Sequence, residues 1–83
     1  MLASRVGLDT AGGVITGGGQ SFVTIGGLNW AIVGDAVADH AHTGATMAQG
    51  SALVRINGIA VCRAGDLATC GDPATGSGFV SAD

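Results

Sequence analysis

The chain repeats itself with an offset of 31 residues, and this repeat restricts the possible folds more than any other feature. Segment 19–35 reads GQSFVTIGGLNWAIVGD, and segment 50–66 reads GSALVRINGIAVCRAGD. Each segment has a polar turn, alternating apolar residues, a second turn, a short apolar stretch and a final Gly-Asp. Segments 4–7 and 76–80 match the end and the start of the same unit. The sequence therefore predicts two full repeats and two partial ones.

Each full repeat predicts a β-hairpin. Val54 and Ile56 flank Arg55 with the period of a strand that is buried on one face. Asn57-Gly58 is typical of a type I′ hairpin turn, and Gly26-Gly27 suits the same turn. After each Gly-Asp we expect an irregular, polar loop, with the Asp side chain bonded to nearby backbone amides. We expect positive φ at the glycines that precede each change of direction, which are Gly7, Gly34 and Gly65.

These elements predict an all-β fold in one domain, residues 1–83. Short hairpins would pack their inward Val, Ile, Leu and Phe side chains together. The three glycine corners suggest approximate three-fold internal symmetry, and a body of that shape would fit a trimeric partner as a single copy. Trp30 is expected in the core, with a docking face as the alternative. Cys62 is expected to be a buried free thiol, with a disulfide to Cys70 as the alternative.

Composition excludes several other classes of protein. The 83 residues include 16 glycines, and only 11% are charged, which argues against a helical bundle. A hydrophobic share of 47% argues against disorder, and a net charge of −3 argues against binding to nucleic acid. The sequence has neither an apolar run long enough to span a membrane nor a recognisable signal peptide. The low charge favours a component of an assembly, because a partner would cover part of its surface.

A metal site is the sharpest chemical prediction. Both histidines stand at His40 and His42, and the 31-residue offset places Cys70 on Asp39, next to this pair. The loops that carry them would meet if the body is three-fold. His and Cys are the preferred ligands of tetrahedral zinc. The alternative is that all three are ordinary loop residues.

Residues 50–66 resemble the PAAR-repeat family, whose typical wording is Gly-Ser-x-x-Val-x-Ile-Asn-Gly-x-x-Ala-Ala-Arg-x-Gly-Asp. Segment 19–35 is a looser match, and the opening residues Ala3 to Gly7 match the family's Ala-Ala-Arg-x-Gly with Leu8 in place of the following Asp. The resemblance implies a small pointed cone of β-hairpins. Such cones cap the trimeric β-helical spike of type VI secretion systems and contractile phage tails, and their tip holds a zinc ion.

The resemblance implies three histidines and one cysteine around that zinc, but this chain departs from the pattern. Ala11 stands where the first loop of the family carries a His. The expected ligands are therefore His40, His42 and Cys70. Asp9 is the first choice for a fourth ligand, and Asp39, Asp72 or a water are the alternatives. One structural zinc per chain is expected, and an iron shared by three chains through the His-x-His pair is the less favoured alternative.

The function implied is a structural, non-enzymatic tip of a membrane-piercing spike. One copy would cap each trimeric spike protein and contact the target membrane transiently, without binding nucleic acid. It would be made in the cytoplasm without a signal peptide, and end up in a virion tail or baseplate or be secreted through a type VI apparatus. The alternatives are a small zinc-dependent hydrolase or toxin delivered by the spike, and a free β-solenoid-like binding module. Elemental analysis and pull-down with a spike protein separate them.

Overall fold

The computed structural model describes residues 1–17, 19–39, 43–51 and 53–76. Over these residues the chain forms short antiparallel strands and no helix, which confirms the all-β prediction. The strands are β1 (Thr10–Ala11), β2 (Gly13–Gly17), β3 (Thr24–Ile25), β4 (Leu28–Asn29), β5 (Ala36–Val37), β6 (Arg55–Ile56) and β7 (Ile59–Ala60).

Two of the pairings are the predicted hairpins. Strand β3 pairs with β4, and β6 pairs with β7, each across a two-residue turn. In the first turn Gly26 and Gly27 have φ of 60° and 85°, and in the second Asn57 and Gly58 have φ of 54° and 79°. Positive φ at both central residues is what a type I′ turn requires, and it matches the twist of the flanking strands. The sequence prediction of both hairpins is therefore confirmed.

The loop after the first glycine corner is more regular than expected. Strand β1 pairs with β2 around Gly12, and β2 pairs with β5 with a shift of register between Ile15 and Gly17. Gly12 has a φ of 86°, so it makes the tight turn that lets the chain double back. The expectation of an irregular loop is wrong over these strands, because the polar and glycine residues read as loop signals serve here as the turn and the bulge.

Three backbone hydrogen bonds join the repeats in a closed ring. The N–H of Ala31 donates to the Ser4 carbonyl at 2.9 Å, that of Cys62 donates to Ala31 at 2.8 Å, and that of Ser4 donates to Cys62 at 3.1 Å. These residues hold corresponding positions, three places before Gly34, Gly65 and Gly7. We call this set of bonds the central ring. It places a hydrogen-bonded backbone, rather than large side chains, where the three segments meet.

A second set of bonds surrounds the central ring and also uses corresponding residues. Val33 N–H donates to the Ala60 carbonyl at 3.0 Å, Ala64 N–H donates to Leu2 at 2.8 Å, and Val6 N–H donates to Asn29 at 2.8 Å. Each segment thus bonds to the strand that leads into the next segment. The third bond reaches back to the beginning of the chain, so the N-terminal residues occupy the place that a hairpin strand holds elsewhere.

The apolar interior is divided into two clusters. Side chains alternate between them along the strand, so that Trp30 and Ile32 enter one cluster while Ala31 and Val33 contact the other. The hairpin cluster consists of Ala3, Ile25, Trp30, Ile32, Ile56 and Val61, with Val54 against it. The loop cluster consists of Ala11, Ile15, Ala31, Val37, Ala45, Met47, Cys62, Ala68 and Ala74, with Val6, Val33 and Cys70 against it.

Candidate functional site

Cys70 lies in a tight turn at the edge of the loop cluster. The Ala68 N–H donates to the Asp72 carbonyl at 3.0 Å, and the Gly71 N–H donates to the Ala68 carbonyl at 2.9 Å. The Cys70 side chain is half-buried, and its thiol lies 3.5 Å from Oδ2 of Asp72. Thiol and carboxylate are both groups that bind zinc, so this turn has the donor chemistry that such a site needs.

The turn that carries Cys70 is tied to the chain that follows the histidine pair. Thr69 N–H donates to the Thr46 carbonyl at 2.7 Å, and Thr46 N–H donates to the Thr69 hydroxyl at 3.1 Å. Ala48 N–H also donates to the Leu67 carbonyl at 3.0 Å. Segments 46–48 and 67–69 therefore run side by side, two residues before Cys70 and a few residues after His42.

The loop that carries the histidine pair is anchored at both ends. The Ala38 N–H donates to the Val14 carbonyl at 2.8 Å, and the Val37 N–H donates to Ala45 at 2.9 Å. The Gly44 N–H also reaches Oδ1 of Asp39 at 3.4 Å. His40 and His42 themselves lie outside the described residues. The two ends of their loop are nevertheless joined by hydrogen bonds, so the loop leaves and returns at one place, beside the segment tied to the Cys70 turn.

Asp9 closes a turn with both of its carboxylate oxygens. Oδ2 accepts the Arg5 N–H at 2.7 Å, and Oδ1 accepts the Thr75 hydroxyl at 3.0 Å. Asp35 uses its carboxylate in the same way, accepting the N–H of Ile32 at 2.9 Å and that of Gly19 at 3.0 Å. This confirms that the Gly-Asp residues bond to nearby backbone amides. The choice of Asp9 as a fourth metal ligand stays a prediction.

The structure also corrects the apparent loss of an Asp at Leu8. The N–H of Arg63 donates to Oδ2 of Asp66 at 2.7 Å, as the N–H of Arg5 does to Asp9. The first segment has one extra residue, the exposed Leu8, and Asp9 supplies the carboxylate one position later. Pairing by sequence offset alone missed this, because an insertion of one residue shifts the register. Asp9, Asp35 and Asp66 are all nearly fully buried.

The arginines that precede two of these corners support them differently. Arg63 forms an ion pair with Asp66, with Nη2 3.0 Å from Oδ1 and Nε 3.1 Å from Oδ2. Arg5 reaches instead to the Ile25 carbonyl at 3.2 Å. Arg63 thus adds a two-pronged contact to the turn of its own segment, while Arg5 holds the tip of the neighbouring hairpin.

Cys62 is a fully buried free thiol in the central ring, as the sequence predicts. Burial raises the pKa of this thiol to about 12, and the negative charges of Asp66 and Asp35 act in the same direction. Its Sγ lies 3.5 Å from the Gln49 carbonyl. Cys70 is also free, so the alternative of a disulfide between the two is not formed. A buried neutral thiol of this kind is a packing residue rather than a nucleophile.

Two large apolar side chains face solvent at corresponding positions of the repeats. Phe22 is 74% exposed, and Leu53, which lies 31 residues later, is 75% exposed. The expectation that such residues point inward is wrong at both positions. Trp30 is buried, in agreement with its expected core position, and its Nε1–H donates to the Cys62 carbonyl at 2.9 Å. The repeat offset itself was the available signal, since it aligns Phe22 with Leu53.

Polar side chains hold these two exposed residues in place. Oε1 of Gln20 accepts the N–H of Phe22 at 2.7 Å and that of Val23 at 2.9 Å. Oγ of Ser51 accepts the N–H of Leu53 at 3.1 Å and that of the following Val54 at 3.0 Å. We call these two loops the apolar turns. Their backbones are fixed by hydrogen bonds while their apolar side chains remain accessible, which is typical of a binding surface.

Among the described residues, no group of three His, Cys, Asp or Glu side chains lies close enough to hold a metal ion. Both predicted histidine ligands fall outside those residues, so the metal site remains a prediction. The described part of the chain also has no helix that is long and apolar enough to cross a membrane.

The PAAR motif family model matches residues 8–75, which is most of the chain. The match extends from the extra residue of the first corner to the end of the third. No curated protein matches the sequence.

Proposed function

The chain belongs to the PAAR motif family, and we propose that it forms the tip of a membrane-piercing spike by capping a trimeric β-helical spike protein. The motif indicates a spike-tip-associated protein of a contractile injection system, either a type VI secretion system or a phage tail. The family is structural rather than enzymatic. The finer statements, which are the capping of a trimer, the one-to-three stoichiometry and the metal, are our proposal.

The exposure of Phe22 and Leu53 is the observation that supports docking. Leaving large apolar side chains in water at two corresponding turns forgoes about 1.5–3 kcal/mol of burial for each. Aromatic side chains are enriched where proteins meet and often dominate the binding energy. The apolar turns would insert Phe22 and Leu53 into equivalent apolar pockets of the spike.

The central ring supports a three-fold partner. Ser4, Ala31 and Cys62 donate and accept in a cycle, and the bonds around the ring repeat with corresponding residues. A single chain with this internal correspondence presents similar surfaces in three directions. It would match a trimer with one copy, whereas an asymmetric cap would engage only one of the three subunits.

Stoichiometry and side-chain dependence test this proposal together. The full chain should bind a trimeric spike protein with one chain per trimer. The double variant Phe22→Ser/Leu53→Ser should bind at least ~10-fold more weakly, a loss of about 1.4 kcal/mol. Leu8→Ser is the matched control, because Leu8 is half exposed but lies at a glycine corner rather than in an apolar turn. Undiminished binding of the double variant, or a different stoichiometry, would contradict the docking mode.

We also propose that His40, His42 and Cys70 bind one structural zinc. The anchored histidine loop and the Cys70 turn are tied to the same segment of chain, and Cys70 is a free, half-buried thiol. Asp72 is better available than Asp9 as a fourth ligand, since its Oδ2 already lies 3.5 Å from the thiol. A bound zinc would join loops whose own apolar core consists largely of alanine, and structural zinc contributes directly to folding free energy.

Metal content and stability test the zinc proposal. Protein produced with zinc present should contain about one zinc per chain by X-ray fluorescence. Cys70→Ala and His42→Ala should lower both zinc content and Tm. Cys62→Ala is the matched cysteine control and should retain the zinc, because Cys62 lies in the central ring. A metal-free protein with the Tm of the zinc-supplemented sample would refute the site.

A further inference from the structure

The described chain leaves the fold directly beside its own N-terminus. A Cβ added to Gly76 would lie 2.7 Å from the Leu2 carbonyl oxygen and 2.8 Å from the Cβ atoms of Leu2 and Ala64. The preceding residue is held there as well, since the Ser4 hydroxyl donates to the Thr75 carbonyl at 2.6 Å. The backbone at Gly76 is therefore pressed against the strand that begins the protein.

Gly50 has the same surroundings one repeat earlier. A Cβ added there would lie 2.8 Å from the Val61 carbonyl oxygen, with Ala60 and Val33 at 2.9 Å. Ala60 and Val33 correspond to Leu2 and Ala64 in the bonds around the central ring. The chain beyond Gly50 forms an apolar turn and then pairs with the strand that contains Ala60. The surroundings of Gly76 thus indicate the start of the same excursion.

The sequence after Gly76 matches the sequence after Gly50. Residues 50–54 read Gly-Ser-Ala-Leu-Val, and residues 76–80 read Gly-Ser-Gly-Phe-Val. In the two described repeats the excursion ends with a bond into the hairpin cluster: Trp30 N–H donates to the Val23 carbonyl and Val61 N–H to the Val54 carbonyl, both at 3.1 Å. Ala3 is the corresponding donor at the N-terminus. It is fully buried, and a buried N–H needs an acceptor.

We propose that residues 77–81 fold back onto Met1, Leu2 and Ala3 as a third, split hairpin, in which the Ala3 N–H donates to the Val80 carbonyl. Ser77 then takes the role of Ser51, with its hydroxyl oxygen accepting the N–H groups of Phe79 and Val80. The occupant of the N-terminal strand edge is thus the chain's own C-terminal segment. Met1 and Leu2 are 56% and 41% exposed over the described fold, as expected for a strand at an open edge.

This closure has a consequence for docking, which rests on the proposed function. Phe79 aligns with Phe22 and Leu53, so closing the third hairpin creates a third apolar turn. The docking surface would then have three equivalent anchors, one for each subunit of a trimer. Both ends of the chain contribute to this third turn, so neither end alone provides it.

Amide hydrogen exchange of the full, zinc-supplemented chain tests the closure without any partner. The Ala3 amide should be protected to within about tenfold of the Trp30 and Val61 amides. Ser77→Ala should accelerate exchange at Ala3 by roughly fivefold and leave Val61 unchanged, while Ser51→Ala should do the reverse. Nuclear Overhauser contacts between residue 3 and residue 80 should appear in the wild-type chain.

An Ala3 amide that exchanges ~100-fold faster than those of Trp30 and Val61 would overturn the proposal. Equal protection at Ala3 in Ser77→Ala and wild type would overturn it as well, provided that Ser51→Ala does move Val61. Because these measurements use the chain alone, they are independent of spike binding. In the binding assay, Phe79→Ser should weaken capture by the spike as much as Phe22→Ser does, and loss of effect of all three apolar substitutions would refute the docking mode instead.

Discussion

The hairpin cluster and the loop cluster lie on opposite faces of the same strands but are held together by different means. In the hairpin cluster Ala3 is the single small residue, and Ile, Val and Trp make up the rest of the buried set. Five of the nine buried residues in the loop cluster are alanines, which bury little apolar surface each. The loop cluster is surrounded instead by the buried carboxylates of Asp9, Asp35 and Asp66 and their hydrogen bonds to the backbone.

The difference shows how a short chain stabilises two regions with one set of strands. Large side chains fit where two-residue turns leave the hairpins room to spread. Near the glycine corners the backbones approach closely, so small side chains and polar contacts replace them. A metal would extend the same principle, because it joins loops without needing apolar volume. The following experiments test this contrast, beginning with the largest expected effect.

Removing the indole of Trp30 should cause the largest loss. Trp30→Ala empties the centre of the hairpin cluster and should lower the free energy of unfolding by about 3–5 kcal/mol, measured by denaturant titration. Trp30→Phe retains most of the apolar volume and should cost far less, since the Cys62 carbonyl still accepts the Ser4 N–H. If Trp30→Ala and Trp30→Phe were equally stable, the hairpin cluster would not depend on side-chain volume.

Alkaline pH should weaken the loop cluster through Cys62. The folded pKa of about 12 lies above the ordinary value of 9.0, so its contribution to stability is complete below pH 9. Above pH 9 the unfolded chain loses the thiol proton while the folded chain keeps it. Stability should therefore fall by about 1.4 kcal/mol per pH unit until pH 12.

The composition of the chain makes this titration easy to isolate. It has neither Lys nor Tyr, so few other groups titrate in that range. Cys62→Ala is the matched control, because Ala31 occupies the corresponding position of the central ring. That variant should show a flatter stability profile between pH 9 and 11. Identical slopes in the variant and the wild type would assign the alkaline loss to another group.

Replacing one corner carboxylate should have an intermediate effect. Asp35→Asn keeps the shape of the side chain but turns an amide donor toward one of the two N–H groups that the carboxylate accepts. The expected loss is about 1–3 kcal/mol, measured by denaturant titration of the zinc-supplemented protein. A loss below 0.5 kcal/mol, the range of ordinary surface substitutions, would show that the corner bonds contribute little to the loop cluster.

Changes at the apolar turns should leave stability almost unaltered. Phe22→Ser and Leu53→Ser remove exposed side chains that belong to neither cluster, so each should change the free energy of unfolding by less than about 0.5 kcal/mol. The same variants are expected to lose binding to the spike. A large drop in Tm for either would mean that its side chain stabilises the fold rather than a complex.

The glycine conformations illustrate what sequence reasoning can predict. Gly7, Gly34 and Gly65 have φ of 86°, 96° and 92°, in agreement with their expected role at changes of direction. A glycine before Asp, or after Asn or Gly, indicates such a corner through purely local sterics. The candidate metal ligands are a different matter, since their union depends on how two loops that are distant in sequence come together.

The sequence alone therefore determined the local structure: the hairpins, their type I′ turns, the glycine corners and the Asp-closed turns, because each depends on residues within a few positions of one another. Only the tertiary structure decided which carboxylate closes the first corner, where a one-residue insertion hands the role to Asp9. It also decided that Trp30 is buried while Phe22 is exposed. Burial depends on which strands the central ring brings together, and those partners lie about 30 residues apart in the chain.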